Sequence, residues 1–335
     1  MNPVQKLCEE VSFVSETRVR IRTMEIDGER LQNRFTKSVE GYPAIVGGLA
    51  QLVYDEFYCE RDPGRGAYAF VEDRILRDEF HLALRRASAS RHIWTSGWTQ
   101  EADQGDKLLL RNRNGAAVLA NRDAVRPAAD GTMAVKVTPD SVPTQAGWVY
   151  FFGETAHPAE AQTTVRLYWN LCAQGAVPFA GTLTRVLNKA EVPFQMKVVE
   201  DPQGFRRADG GVLYVPQTSW DALRANLPEI YAQIGPYLKR KTPLFALEMA
   251  PGLGLAEDPG NGESFGMSRS RLVAEGLYDA LNVGATDADA RREAIERRFS
   301  RAGLDPARPH LNPGSRAEYV AALPANPILA LGDLP

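Results

Sequence analysis

The 335-residue chain is poor in the residues that most often hold metals or crosslinks, with three cysteines and four histidines. Cys8, Cys59 and Cys172 are odd in number and far apart, which argues against a disulfide framework or a zinc knuckle. His81, His92, His157 and His310 show none of the HxH, HxxxH or HExxH spacings of a histidine metal site. No stretch approaches the roughly 20 apolar residues of a membrane span. The first residues, Met1 to Val11, contain Glu9 and Glu10 and have no apolar core with a small-residue cleavage site, so they read as cytoplasmic sequence. Strong charge of one sign is missing too. A net charge of -3 gives no global pull toward nucleic acid or an anionic membrane, and an anion site must come from a local cluster of Arg and Lys.

With 44 % hydrophobic and 24 % charged residues, the chain is of ordinary globular composition, long enough for two domains. Residues 1–60 read as helical, with a buried helix over Ala44–Tyr54 stopped at Asp62-Pro63-Gly64. Phe80–Arg86 reads as a short helix. Alternating runs follow at Ile93–Gln100, Lys107–Arg111, Ala117–Ala120 and Met133–Thr138, separated by turn signals at 112–115 and 130–131. The second half reads as strands at Thr163–Leu171, Phe194–Val199, Val212–Val215 and Leu244–Met249. Its helices are expected at Val177–Ala190, at Trp220–Leu238 with Ser219 as cap, and at Arg269–Leu281 after a Gly/Pro-rich loop from Ala250 to Gly266. A charged helix over Asp287–Ala302 and a loosely held Pro-rich tail complete the chain. The order implies an α+β fold, a sheet backed by helices in the second half, after a smaller region of helices and short strands. The expected division is 1–145 for a region suited to peptide recognition, 146–285 for the α+β unit and 286–335 for the charged helix and tail.

Four segments carry candidate chemistry. In Val165–Asn170, period-2 alternation puts Arg166, Tyr168 and Asn170 on one strand face, which could equally be a solvated face. In Val192–Val198 it puts Gln195 and Lys197 together. Phe205–Val215 carries Arg206 and Arg207 ahead of a glycine turn and Tyr214; an Arg-Arg pair alone is more often surface charge. Pro251–Arg271 is a glycine-rich loop running into a helix with Arg269 and Arg271, a weak anion-site signal that matches neither a Walker motif nor GxGxxG. Taken together, cations on successive strands interleaved with tyrosines suit a phosphate, which arginine forks bind bidentately.

Residues 145–285 resemble the HopA-type effector-like proteins, which include a plant-pathogen type III effector and lyase components of lanthipeptide and thioamitide gene clusters. The likeness is carried by Thr242-Pro243-Leu244-Phe245, by Ala250 through Gly260, and by Ser264-Phe265-Gly266-Met267 continuing to Arg269, Arg271 and Ala274-Glu275-Gly276. Arg166–Asn170 and Pro193–Val198 also fit. A more distant likeness reaches the phosphothreonine lyase effectors, whose pattern places Lys197 at the general base, Arg206 or Arg207 at an arginine place, Tyr214 at the tyrosine of a third strand, and Arg269 and Arg271 at two later arginines. Arg166-Leu167-Tyr168 stands where that family has Lys-x-His, so Tyr168 stands in place of the acid histidine.

The resemblance implies removal of phosphate from phospho-Ser or phospho-Thr of a precursor peptide by β-elimination, giving dehydroalanine or dehydrobutyrine. Lys197 would be the base, with Tyr168 or Tyr214 protonating the leaving oxygen or steadying the carbonyl. Arg166, Arg206, Arg207, Arg269 and Arg271 would bind phosphate, and no metal or cofactor is expected. The implied partners are the phosphorylated precursor peptide and a kinase that phosphorylates it, with neither nucleic acid nor membrane. The competing expectation is a non-catalytic module that grips a phosphopeptide or protein partner with the same basic face.

Overall fold

The computed structural model describes residues 3–32, 39–60, 74–112, 117–141, 145–156, 163–285 and 287–324. The N-terminal part has helix α1 (Pro3–Glu10), strands β1 (Val11–Ser15), β2 (Arg18–Ile21) and β3 (Met24–Asp27), then α2 (Gly28–Gln32) and α3 (Ala44–Val53). The expectation of helix throughout 1–60 is corrected here, because 11–27 is a three-stranded antiparallel meander. Its strands are short and rich in exposed charge, but β2 alternates strictly between exposed arginines and the buried Val19 and Ile21, the period of a half-buried strand. Helix α3 runs into a π-helical turn, Tyr54–Tyr58. The stop expected at 62–64 lies outside the described residues.

Helix α4 (Arg74–Ala87) leads into a five-stranded antiparallel sheet. Its strands are β4 (Ile93–Asp103), β5 (Lys107–Asn112), β6 (Ala117–Asn121), β7 (Val125–Pro127) and β8 (Met133–Val137), in the order β6-β5-β4-β8-β7. Part of the turn expected at 112–115 is outside the described residues. The sheet has its own small core of Leu108, Leu110, Ala120 and Val135.

The larger sheet has seven antiparallel strands. They are β9 (Asp140–Ser141), β10 (Trp148–Phe152), β11 (Thr164–Trp169), β12 (Gln195–Val199), β13 (Gly211–Pro216), β14 (Leu247–Ala250) and β15 (Leu253–Glu257), in the order β14-β15-β11-β13-β12-β10-β9. One face carries Phe151, Leu167, Met196, Leu213 and Leu255, all fully buried. Helix α5 (Ala176–Lys189) presents Phe179, Ala180, Leu183, Val186 and Leu187 at helical spacing, and α6 (Trp220–Ile234) presents Leu223, Leu227 and Ile230. Both join the same core as that sheet face. The opposite face receives α3 and its π-turn, with α7 (Phe265–Asn282) packed on α3. A Cβ at Gly266 would collide with the rings of Tyr54 and Tyr58, so only glycine lets α7 come this close. Helix α8 (Ala288–Arg301) packs between α7 and α1.

The fold is therefore α+β, as expected, with local corrections. The loop expected from Ala250 to Gly266 contains β15, paired with both β11 and β14. Glycines 252 and 254 hid it, and a Cβ on Gly254 would crowd Ala246 and Thr242. Strand β14 is correspondingly shorter than Leu244–Met249. Ser219 makes no side-chain cap, whereas Ser264 Oγ accepts from the Met267 N–H at 3.3 Å and starts α7. The tail is not loose through residue 324: Leu304, Leu311 and Tyr319 are buried. The fully buried Glu257 carboxylate accepts from Asn312 N–H (2.7 Å), Ser315 Oγ (2.7 Å) and Tyr319 OH (2.8 Å). Among the described residues no helix is long and apolar enough to cross a membrane.

Candidate functional site

Strand register brings the candidate residues onto one face. Residues directly opposite in antiparallel strands share a face. Arg166 pairs with Tyr214, Tyr214 with Gln195, and Gln195 with Phe152, which makes one transverse row. The next row runs Tyr168, Val212, Lys197, Tyr150. The alternation that groups Arg166 with Tyr168, and Gln195 with Lys197, thus extends across four strands.

Lys197 is half-buried in an aromatic box. Its ammonium lies 4.2 Å from the Trp148 ring centroid, 5.9 Å from that of Tyr150 and 6.0 Å from that of Tyr214. Nζ donates to Gln145 Oε1 at 2.9 Å, and the Tyr150 hydroxyl donates to the same oxygen at 2.8 Å. Burial is the main reason its pKa falls to about 8; Arg207 and Arg166 push the same way and Asp209 opposes them. A lysine so placed is a usable base near neutral pH.

Arg166 and Arg207 flank the box. The Arg166 guanidinium sits 5.3 Å over the Tyr214 ring and is paired with the Asp258 carboxylate at the end of β15. Arg207 is buried, forks onto Asp209, donates to the Tyr54 hydroxyl at 3.1 Å, and lies 4.8 Å over the Trp148 ring. Burial keeps the Tyr214 phenol raised well above its ordinary value, hence protonated and able to donate.

Of the remaining candidates, Tyr168 shares the face but is covered, and the others lie elsewhere. Tyr168 is 2 % exposed, with its ring against Tyr58 and Phe265 at centroid distances of 6.2 and 6.1 Å, and its hydroxyl has no hydrogen-bond partner among the described residues. Arg269 is buried and donates to the Pro309 carbonyl (2.8 Å), the Leu311 carbonyl (3.0 Å) and Ser268 Oγ (3.2 Å), which ties α7 to the tail. Arg271 bridges Glu263 and Glu275 at 3.1 and 2.7 Å. Arg206 is exposed and faces a separate cavity. The face therefore gathers Lys197, Tyr214 and Arg166, with buried Arg207 beside them, while Arg269 and Arg271 spend their donors on architecture.

Sequence reasoning missed the residues that complete this face: Trp148, Tyr150 and Gln145, and the carboxylates Asp209 and Asp258. The signal for the aromatics was present, since alternation in Trp148–Phe152 puts Trp148 and Tyr150 on one side. Asp209 stands two residues after Arg207, but nothing local shows that the pair is buried. Among the described residues no cluster of three or more His, Cys, Asp or Glu side chains could hold a metal ion.

The HopA1 effector protein family matches residues 140–311, the stretch from β9 to the tail segment held by Arg269. An effector protein structure from Pseudomonas syringae pv. tomato strain DC3000 superposes with a TM-score of 0.47 and 16 % identity, covering 92 % of this chain and 98 % of that one. Another, from Pseudomonas syringae pv. syringae strain 61, gives a TM-score of 0.41 and 14 % identity, covering 80 % and 88 % of the respective chains. No curated protein matches the chain.

Proposed function

The chain belongs to the HopA1 effector protein family, and from that premise we propose that it is a phospho-Ser/phospho-Thr lyase acting by β-elimination on a kinase-phosphorylated precursor peptide. The observation that carries this reading is Lys197: a strand lysine whose pKa is lowered to about 8, in an aromatic box flanked by two arginines. At pH 7 about one-tenth of such a lysine is neutral, far more than of an ordinary lysine.

The neutral Lys197 amine takes the Cα proton of the phosphorylated residue. The C–H electron pair becomes the Cα=Cβ double bond, the Cβ–O bond breaks, and its electrons leave on phosphate. The products are dehydroalanine or dehydrobutyrine, inorganic phosphate and protonated Lys197. The step is redox-neutral and asks for a base and for stabilisation of a leaving dianion. Arg166 supplies the cation, with the phosphate competing with Asp258 for its fork. The Tyr214 phenol, stacked between Arg166 and Lys197, donates to the bridging oxygen or to the substrate carbonyl. Arg207 acts through Lys197, by holding down its proton affinity. Tyr168 shares the face but is covered by Tyr58 and Phe265, and serves as a packing residue.

The substrate belongs to ribosomal peptide natural product biosynthesis of the lanthipeptide or thioamitide kind. A phosphotransferase-type kinase working in the cytoplasm supplies the phosphorylated peptide, and the edge strands β6 and β7 of the five-stranded sheet offer unpaired backbone to its leader. The test is mass spectrometry of a synthetic phosphopeptide incubated with the pure protein. Loss of phosphoric acid, leaving a double bond, supports the lyase. Return of the free hydroxyl identifies a phosphatase and contradicts it. Tight binding with no mass change moves the non-catalytic phosphopeptide-binding module ahead.

A further inference from the structure

Beyond the row of Tyr168 and Lys197, at the Asn170 end of β11, lies a cavity of about 290 Å³. Three stretches of chain build most of it: Arg206–Ala208 ahead of β13, Lys239–Lys241 after α6, and Asn170, with Glu60 completing the rim. The strap 239–241 is fixed by backbone. Lys239 N–H donates to the Asn170 carbonyl at 2.8 Å, Gly252 N–H donates to the Arg240 carbonyl at 2.8 Å, and Asn170 Nδ2 donates to the Lys241 carbonyl at 2.9 Å. Gly252 has φ +76°, and a Cβ there would strike the Lys239 carbonyl, so the close approach of the strap depends on glycine.

The charge balance of this cavity differs from that of the Lys197 face. Five cationic side chains line it, Arg206, Arg207, Lys239, Arg240 and Lys241, against one carboxylate, Glu60. Glu60 is paired with Lys241 at 3.0 Å, and Arg207 with Asp209. The Lys239 ammonium rests on the Phe205 carbonyl at 2.7 Å and makes no ion pair of its own among the described residues, though Glu60 and Asp209 act on it from farther away. Arg206 and Arg240 are exposed and have no ion pair among the described residues. Arg206 and Arg240, with Lys239 between their segments, place an excess of positive charge around one concave volume, which an anion would relieve.

We propose that this cavity is a second anion site, specific for a phosphate group and separate from the Lys197 face, with buried Arg207 as the wall between them. Phosphate suits it better than a carboxylate, because cations approach from two separate segments, 206–207 and 239–241, and a tetrahedral oxyanion offers oxygens to both. The phosphate has two possible sources, a second phosphorylated residue of the peptide or free inorganic phosphate. The site goes beyond the lyase reading and does not depend on it: a chain that eliminates nothing could still bind phosphate here.

Inorganic phosphate, titrated calorimetrically into the full chain carrying Lys197→Glu, tests the site. That substitution repels phosphate from the Lys197 face; of the cavity residues it faces Arg207, which both compared proteins keep, and a thermal unfolding scan of each checks that the fold is retained. Adding Arg206→Ala and Arg240→Ala, both at exposed positions, is expected to weaken phosphate binding about tenfold. Equal affinity with and without the two arginines overturns the site, as does absence of phosphate binding in both proteins. A second titration compares non-hydrolysable peptides bearing one and two phosphonate groups on the same proteins. A gain from the second group that vanishes with Arg206 and Arg240 marks the peptide as the source; no gain, with free phosphate still sensitive to the pair, marks inorganic phosphate.

Discussion

Arginines on the sheet and arginines on α7 stand within the same family match, yet they are used differently. Arg166 keeps its largely buried guanidinium over the Tyr214 ring, with one carboxylate, Asp258, as a partner that an arriving anion can replace. Arg269 and Arg271 have no such freedom. The first is committed to the carbonyls of Pro309 and Leu311, the second to Glu263 and Glu275. Counting each guanidinium's donors and partners separates chemistry from architecture in a way that the motif string does not.

Variants can break this comparison. The largest effect is expected at Lys197. Lys197→Ala should lower the elimination rate about 10²–10⁴-fold with little change in phosphopeptide affinity, read as a fall in kcat without a rise in KM. Arg207→Ala should cost about 3–5 kcal/mol in denaturant unfolding, because it leaves the Asp209 carboxylate buried without its cation. Replacing both by apolar residues, Arg207→Met with Asp209→Leu, should recover most of that loss. Recovery of stability without recovery of turnover would sharpen the positioning role given to Arg207.

Smaller effects divide the sheet from α7. Arg166→Ala should reduce kcat/KM about 10- to 100-fold, the worth of charge-assisted hydrogen bonds to the phosphate. Arg269→Ala should instead lower stability by about 2–3 kcal/mol and leave turnover per folded molecule intact, since two tail carbonyls lose their donor. Turnover that falls with Arg269 and not with Arg166 would reverse the comparison. The finest distinction lies between the tyrosines. Tyr214→Phe should cost about tenfold in rate. Tyr168→Phe, which removes a buried hydroxyl without a partner, should stay within about 0.5 kcal/mol of the parent.

How much of this was legible in the sequence differs from element to element. Period-2 alternation was enough to put Arg166 with Tyr168 and Lys197 with Gln195, because both segments are true strands and a pleat allows no other arrangement. It could not say which strand lies beside which, and the order β11-β13-β12-β10 is what brings Tyr214, Trp148 and Tyr150 to Lys197. Strand β15 was hidden because two glycines and flanking prolines mimic a loop. Their actual role is close packing, under the strap 239–241 at Gly252 and against Ala246 and Thr242 at Gly254. The N-terminal meander was hidden by its arginines and glutamates, which pair across strands, as Arg20 does with Glu25 at 2.7 Å. Tyr168 shows the limit of face assignment: it shares a face with Lys197, but Tyr58 and Phe265 from other parts of the chain cover it. Which part of a sheet face stays open is decided by those distant elements, and no local pattern reports it.

The central claim is that Lys197 is a base because burial and two arginines hold its pKa near 8. The pH dependence of the elimination rate on a synthetic phosphopeptide tests it most directly. A lowered lysine pKa means that the active, neutral form is lost as pH falls below about 8 and is fully present above it. Between pH 6, where the phosphate monoester gives up its second proton, and pH 9, the rate should therefore rise and level off with an inflection at about 8. A rate that keeps climbing to the ordinary lysine range above pH 10, or one that is flat across this window, would contradict the account.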